Sequence, residues 1–226
     1  MTAIVHSSET VTLVGAGLAT PDAILRCLKI APKLIAADGG AQHCLDAGVM
    51  PEAVFGDLDS LASISSLPAE VVHRIEEQES TDFDKALRSI DAPLVLGAGF
   101  TGLRVDHYLA CLNTLVRRPD RRCILLGDTD IAFLLPPHFQ MDLAPGTRVS
   151  LFPMGLVEGT SDGLKWPISG LSFAPDGMVG TSNEAEGDIE ISVTAPKLLM
   201  VLPEAELEAA TEALLACSSR WPALDR

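Results

Sequence analysis

The sequence predicts an α/β protein: an N-terminal, mostly parallel sheet flanked by helices, followed by a smaller all-β sandwich domain. Two observations carry this. Up to about residue 126, short aliphatic runs alternate with segments of helical period, the pattern of a helix-flanked parallel sheet. After about Leu135 the rhythm changes to short strand-like runs separated by Gly, Pro, Asp and Asn, which suits a small sandwich or barrel. Pro136-Pro137 lies where the two patterns meet, giving expected domains of 1–136 and 137–226.

Each element has its own signal. Val11-Thr12-Leu13-Val14 reads as a strand ending at Gly15-Ala16-Gly17, and Pro21 opens a helix with Ile24, Leu25 and Leu28 on its apolar side. Leu34-Ile35-Ala36-Ala37 is a second strand, and 41–47 a short helix closed by Gly48. A strand is expected over 70–75. In the helix over 81–90, Phe83, Ala86, Leu87 and Ile90 fall at i, i+3, i+4 and i+7. Leu94-Val95-Leu96 precedes another glycine-rich turn. The helix over 105–116 carries a stripe of Leu109, Leu112 and Val116, and Cys123-Ile124-Leu125-Leu126 is a further strand. Beyond the boundary, strands are expected over 148–152, 189–193 and 198–202, and a final helix over 204–216.

Composition narrows the function. With 226 residues and 47% hydrophobic content the chain can build a large core. A net charge of −15, from 31 acidic and 16 basic residues, argues against nucleic acid or an anionic membrane as partner. It does not exclude nucleotides, because a bound cation reconciles carboxylates with phosphates. The five cysteines form no CxxC pair and read as reduced thiols. The first ten residues lack the pattern of a signal peptide, and no apolar run reaches the length of a membrane span. A cytoplasmic protein is expected.

Acidic residues cluster where the pattern passes from strand to helix, the ends that form the ligand crevice of parallel sheets. If Phe55-Gly56-Asp57-Leu58-Asp59-Ser60 is extended, Asp57 and Asp59 project to one face. Converging carboxylates suit Mg²⁺, which takes one or two of them with waters and substrate phosphates. A turn in which both accept backbone N–H groups is the plain alternative. Asp38 precedes Gly39-Gly40, where backbone can approach a ligand closely; a tight turn with a helix cap reads equally well. In Ser80-Thr81-Asp82-Phe83-Asp84-Lys85, capping and dipole effects account for one hydroxyl and one acid. The whole cluster could also combine metal ligands, a hydroxyl and a phosphate-facing ammonium. Arg104, in Gly102-Leu103-Arg104-Val105-Asp106-His107, can hold phosphate oxygens or simply pair with Asp106. Gly15-Ala16-Gly17, with Asp38 21 residues beyond Gly17, imitates a dinucleotide fingerprint, but Thr20 stands where the third glycine belongs. In the second half, Trp166 offers a face to a cation or planar ring, and Ser182 and Asn183 offer hydrogen bonds; a core Trp and a polar turn are the ordinary reading.

Six elements now stand in order: Asp38-Gly39-Gly40-Ala41, Gly56-Asp57-Leu58-Asp59-Ser60, the Thr81-to-Leu87 cluster, the Gly102-to-His107 cluster, Gly163-Leu164-Lys165-Trp166, and Thr181-Ser182-Asn183. Together they resemble the thiamine pyrophosphokinase family, over most of the chain. The resemblance implies a nucleotide-binding α/β catalytic domain and a thiamine-binding β-sandwich, assembled as a homodimer with thiamine at the subunit interface. It implies the reaction ATP + thiamine → AMP + thiamine diphosphate. Asp57, Asp59 and Asp82 are then Mg²⁺ ligands. Gln78, Thr81, Arg104 and Asp106 contact nucleotide or phosphate, with Asp38, Gly39 and Lys85 on the same ATP side. Trp166, Ser182 and Asn183 fall to thiamine. Catalysis is expected to rest on Asp57, Asp59, Asp82, Arg104 and Asp106, since diphosphoryl transfer depends on alignment and charge neutralisation. The chain departs from the pattern at Leu103, where relatives often carry glycine, at Cys111, and in the tail from Glu204. Competing readings are a pyrophosphokinase for another heterocyclic alcohol, a non-catalytic nucleotide or thiamine sensor, and a dinucleotide-dependent oxidoreductase.

Overall fold

The structure, a computed structural model, describes residues 3–57 and 67–224. It divides into two compact units, one running to Thr114 and including Leu125–Gly127, the other formed by Leu115–Ile124 with Asp128–Arg226. The chain is a mixed α/β protein.

The first unit carries β1 (Val5–His6), β2 (Val11–Val14), α1 (Pro21–Ile30), β3 (Lys33–Ala37), α2 (Gly40–Asp46), β4 (Ala53–Gly56), β5 (Val72–Arg74), α3 (Asp82–Ser89), β6 (Ile90–Asp91), β7 (Val95–Ala98) and most of α4 (Val105–Arg117). Parallel pairing orders the strands β7–β2–β3–β4–β5, and β1 pairs separately with β6. β2, β4 and β7 are buried along their whole length, as strands covered on both faces must be. β4 had no counterpart among the expected strands. It ends at Gly56, so Asp57 lies just past the strand.

The helices form where the sequence says they should, for visible reasons. Thr20 caps α1 by accepting the Ala23 N–H at 3.2 Å, and Pro21 occupies the first turn. Ile24 then packs with Ala41 and Cys44 of α2 against Val14, Leu34, Ala36 and Val54 of the sheet. Each large side chain removed from water here contributes about 1.5–3 kcal/mol. Helix α2 approaches β2 closely at Gly40, where an added Cβ would lie 2.1 Å from the Val14 carbonyl oxygen. The expected stripe of Phe83, Ala86 and Leu87 is buried in α3, and Ile90, its last member, is buried just past the helix as the first residue of β6. In α4 it is not: Cys111, Thr114, Leu115 and Val116 are buried, while Leu109 is 54% exposed and Val105 74%. The stripe read from Leu109 is therefore only partly a core face.

After β8 (Cys123–Leu126), the second unit adds β9 (Asp130–Leu134), β10 (His138–Met141), β11 (Arg148–Pro153), β12 (Val157–Leu164), β13 (Ser172–Phe173), β14 (Gly180–Val193), β15 (Leu198–Pro203) and α5 (Leu207–Ala216). Its pairing is antiparallel. β9 lies on β15 from Leu134↔Leu199 to Asp130↔Pro203, so Pro136-Pro137 falls within this unit. The long β14 pairs with β11 near its start and with β10 and β12 further on. The C-terminal segment is tied down by Arg122, which donates to the carbonyls of Leu214, Cys217 and Ser219, and by the Trp221 indole N–H on the Leu135 carbonyl at 2.8 Å. Among the described residues no helix is long and apolar enough to cross a membrane.

Candidate active site

β2 has β3 on one side and β7 on the other, although β7 is reached only after β3, β4 and β5 have been laid down. Chain segments leaving β2 and β7 therefore diverge, and such a switch point opens a crevice beyond the carboxyl ends of the strands. A cavity of about 390 Å³ lies there, walled by Gly15–Gly17 after β2, Asp38 after β3, the start of α3, and residues 99–104 after β7. The Gly15-Ala16-Gly17 turn, a weak dinucleotide signal in the sequence, is thus part of this wall. Thr20, in place of a third glycine, is the cap of α1. His107 and Cys111 also face the cavity. Burial pushes the Cys111 thiol up to about 12, so it remains protonated and is no nucleophile.

Three of the predicted acids come to this end of the sheet. Asp38 is 8% exposed, holds φ +43°, and donates its N–H to the Phe55 carbonyl at 2.7 Å. It packs directly over Gly56, where an added Cβ would sit 3.0 Å from its own. Asp57 follows Gly56. Thr81 caps α3, accepting the Asp84 N–H at 3.2 Å, which sets Asp82 in the first turn. Burial pushes the Asp82 carboxyl up, Lys85 pulls it back, and Asp38 and Asp57 push it up further. Asp38 and Asp57 are therefore each within electrostatic reach of Asp82. Asp59 lies outside the described residues. Among the described residues no three His, Cys, Asp or Glu side chains close around a point tightly enough to enclose a metal. A hard cation held by one or two carboxylates and otherwise by phosphate and water fits this donor set.

The remaining ATP-side residues are placed unevenly. Lys85 was expected to face phosphate with its ammonium; its side chain is 3% exposed and its Nζ lies 3.3 Å from Asp82 Oδ1. Arg88 bridges Glu77 at 3.1 Å and Asp84 at 3.6 Å, and Ser80 donates to Glu77, bracing the loop before α3. Gln78 is exposed on that loop, and Gly39 begins α2 as its N-terminal cap. Arg104 lines the cavity and binds Asp106 through two hydrogen bonds of 2.6 and 3.2 Å; both side chains are 65% exposed. Leu103 holds φ +47°. A left-handed leucine costs about 1–2 kcal/mol.

A second site is built in the other unit. Gly163, at φ +76°, could not be replaced freely, because an added Cβ would lie 2.0 Å from the Asp188 carbonyl oxygen. The chain turns here into Lys165 and Trp166. Trp166 is 53% exposed, with the Lys165 ammonium 4.8 Å from its ring centroid and paired to Glu184 at 2.7 Å. It borders a cavity of about 200 Å³ with Ile168, Phe173, Val179, Thr181 and Asn183. Asn183 is buried, and its amide is largely engaged by the chain itself. Its Oδ1 accepts from the Trp166 and Glu184 N–H groups at 3.2 and 2.9 Å, and its Nδ2 donates to the Trp166 carbonyl at 2.7 Å. The resemblance puts Asn183 on the thiamine side; in the structure its amide holds the Trp166 backbone while the residue lines the same cavity. Ser182 is exposed and holds φ +63°. Among the described residues, the non-glycine positions with positive φ are Asp38, Leu103 and Ser182, all at these two sites.

Comparison with known proteins bears on both units. A family model described as thiamin pyrophosphokinase, catalytic domain, matches residues 24–125, and one described as thiamin pyrophosphokinase, vitamin B1 binding domain, matches 138–198. Thiamine pyrophosphokinase 1 of Oryza sativa subsp. japonica is 30% identical over 191 residues, 67% of this chain and 71% of the relative. Thiamine pyrophosphokinase 1 of Arabidopsis thaliana is 31% identical over 155 residues, 59% of this chain and 58% of the relative, so under two thirds of that protein is spanned. The solved thiamine pyrophosphokinase from Bacillus subtilis superposes with a TM-score of 0.71 at 24% identity, covering 86% of this chain and 99% of that one. The Candida albicans structure gives 0.72 at 16%, covering 88% and 92%. At these identities the structures establish the fold.

Proposed function

The chain belongs to the thiamine pyrophosphokinase family, and from that premise we propose that it transfers the diphosphoryl group of ATP to the hydroxyl of thiamine, releasing AMP. The observation that carries the proposal is the approach of Asp82 to Asp38 and Asp57 beside the switch-point cavity. Such a concentration of carboxylates suits a triphosphate only with a cation. Mg²⁺ held by Asp57 and Asp82, with Asp59 as a further ligand, would neutralise the phosphate oxygens and so favour attack at the β-phosphorus.

The chain's own residues supply alignment. The turn at Gly15–Gly17 and the backbone at Asp38 and Gly39 bring main chain close to the nucleotide. Thr81 and Gln78 contact it from the loop before α3. Arg104 exchanges its exposed partner Asp106 for phosphate oxygens. Lys85 balances charge beneath Asp82. The hydroxyl proton leaves to a carboxylate, Asp82 or Asp106. In the second unit the thiazolium cation and its planar partner ring lie against Trp166, with Ser182 beside it.

The same reading extends to assembly. The apolar run of Leu103, Val105 and Leu109, exposed by 80, 74 and 54%, supports a homodimer with thiamine at the subunit interface. The division of β14 between β11 and the β10 and β12 partners supports a sandwich in the second unit. Free cysteines, four of them buried, support a cytoplasmic location.

The test is chromatography of products after incubation with thiamine, ATP and Mg²⁺. Thiamine diphosphate with equimolar AMP, abolished by EDTA, is expected. ADP with thiamine monophosphate would refute the proposal, and binding of both substrates without product would make the protein a sensor.

A further inference from the structure

Opposite the Thr181–Ser182 pair, β11 contributes one residue where β14 contributes two. Val149 pairs with Asn183 and Leu151 with Gly180, leaving Ser150 alone against Thr181 and Ser182. This is a β-bulge, a device that re-aims side chains beside functional sites. Ser182 takes the left-handed conformation, φ +63°, that serine enters at a cost. Its N–H, displaced from the ladder, is received by the Ser150 hydroxyl at 3.0 Å. Ser150 is 7% exposed, and the same oxygen lies 3.4 Å from Arg148 Nη1. Arg148 is in turn held by Asp130 of β9.

The residues bordering the bulge are those of the Trp166 site. Thr181 and Asn183 both line its cavity, and Asn183 carries the Trp166 backbone. Were the bulge to relax into regular pairing, the strand would slip by one residue and side chains would exchange faces. Nothing in the sequence marks Ser150, which reads as one residue of an expected strand.

We infer that Ser150 is a positioning residue for thiamine: its hydroxyl locks the Thr181–Ser182 bulge and thereby the wall of the Trp166 cavity. This rests on the assignment of that cavity to thiamine.

The test compares Ser150→Ala, Ser150→Thr and the unsubstituted protein by steady-state kinetics in both substrates. Loss of one buried hydrogen bond and its bulge should raise the KM for thiamine about tenfold in Ser150→Ala, with the KM for ATP changed by less than about twofold. Ser150→Thr keeps the oxygen and should restore the thiamine KM. If Ser150→Ala does not fold, Ser150→Cys keeps the volume with a weak acceptor and should show the same split. An unchanged thiamine KM in a folded Ala or Cys variant, or equal rises for both substrates, would overturn the inference. So would a Ser150→Thr variant no better than Ser150→Ala. Hydrogen exchange at the Ser182 amide separates this from failure of the functional reading. A protein that turns over no thiamine would end the assignment to thiamine, while faster exchange in Ser150→Ala would still report the lock.

Discussion

Replacing Lys85 with methionine isolates the charge balance on which the acidic site depends. The ammonium is 3% exposed and 3.3 Å from Asp82, whose side chain is 37% exposed. At an effective dielectric near 20 that separation corresponds to about 5 kcal/mol of attraction. Burying the ammonium costs several kcal/mol, and water screens the exposed part of Asp82, leaving a net effect of about 1–2 kcal/mol. Methionine fills the same apolar volume, so packing is retained. The variant keeps Asp82 facing Asp38 and Asp57 with no cation beneath it. In urea titration with EDTA it should lose that 1–2 kcal/mol. Saturating Mg²⁺ should recover most of the loss, because a ligand bound by the folded state adds stability that grows as the logarithm of its concentration over Kd, and the variant, lacking the competing ammonium, binds it more tightly. The pH dependence has a definite sign. Asp82 is already raised in the folded protein, so it retains its proton where the unfolded chain has lost it. Loss of Lys85 raises it further. Both metal-free proteins should therefore lose stability as pH rises from the ordinary aspartate range to the folded value of the unsubstituted protein, and the variant alone should go on losing it up to its own higher folded value, so the gap between them opens over that last interval. Equal stability in EDTA, or equal stabilisation of both proteins by Mg²⁺, would mean that Lys85 does not offset the acidic charge at Asp82.

Other substitutions test separate parts. Asp57→Asn should keep the thermal unfolding midpoint within a few degrees and lower turnover by about two orders of magnitude, since preorganised charge is lost at the phosphates; near-normal turnover would remove Asp57 from the site. Trp166→Ala should raise the thiamine KM about tenfold, as expected for a lost cation–π face, and leave the ATP KM unchanged; the reverse pattern would move thiamine elsewhere. Arg122→Ala removes three bonds to the carbonyls of Leu214, Cys217 and Ser219. It should cost about 2–3 kcal/mol in unfolding free energy and open the chain beyond α5 to limited proteolysis.

Much of this was legible in the sequence because local pattern and final structure agree. The buried runs of β2, β3 and β7, the Thr20-Pro21 start of α1 and the stripe of α3 are each fixed by residues close in sequence. The acidic and tryptophan motifs were likewise visible as clusters. What escaped depends on non-local pairing. The order β7–β2–β3–β4–β5 turns the Gly15–Gly17 turn from a weak decoy into a cavity wall, and no local feature encodes that order. Lys85 looks like a polar helix residue, but it is buried in α3, which packs against β3 and β4. Leu109 continues a helical stripe yet stays exposed, because α4 turns Cys111 and Leu115 inward instead. Asn183 offers an amide that the Trp166 backbone, 17 residues away, takes up.

The proposed activity breaks the bond between the β-phosphorus of ATP and the oxygen that bridges it to the α-phosphorus. ATP carrying ¹⁸O in the bridge between its α- and β-phosphorus should be converted with thiamine and Mg²⁺, and both products weighed by mass spectrometry. Attack at the β-phosphorus predicts the label in AMP and none in thiamine diphosphate. Label in thiamine diphosphate, or ADP in place of AMP, would contradict the account.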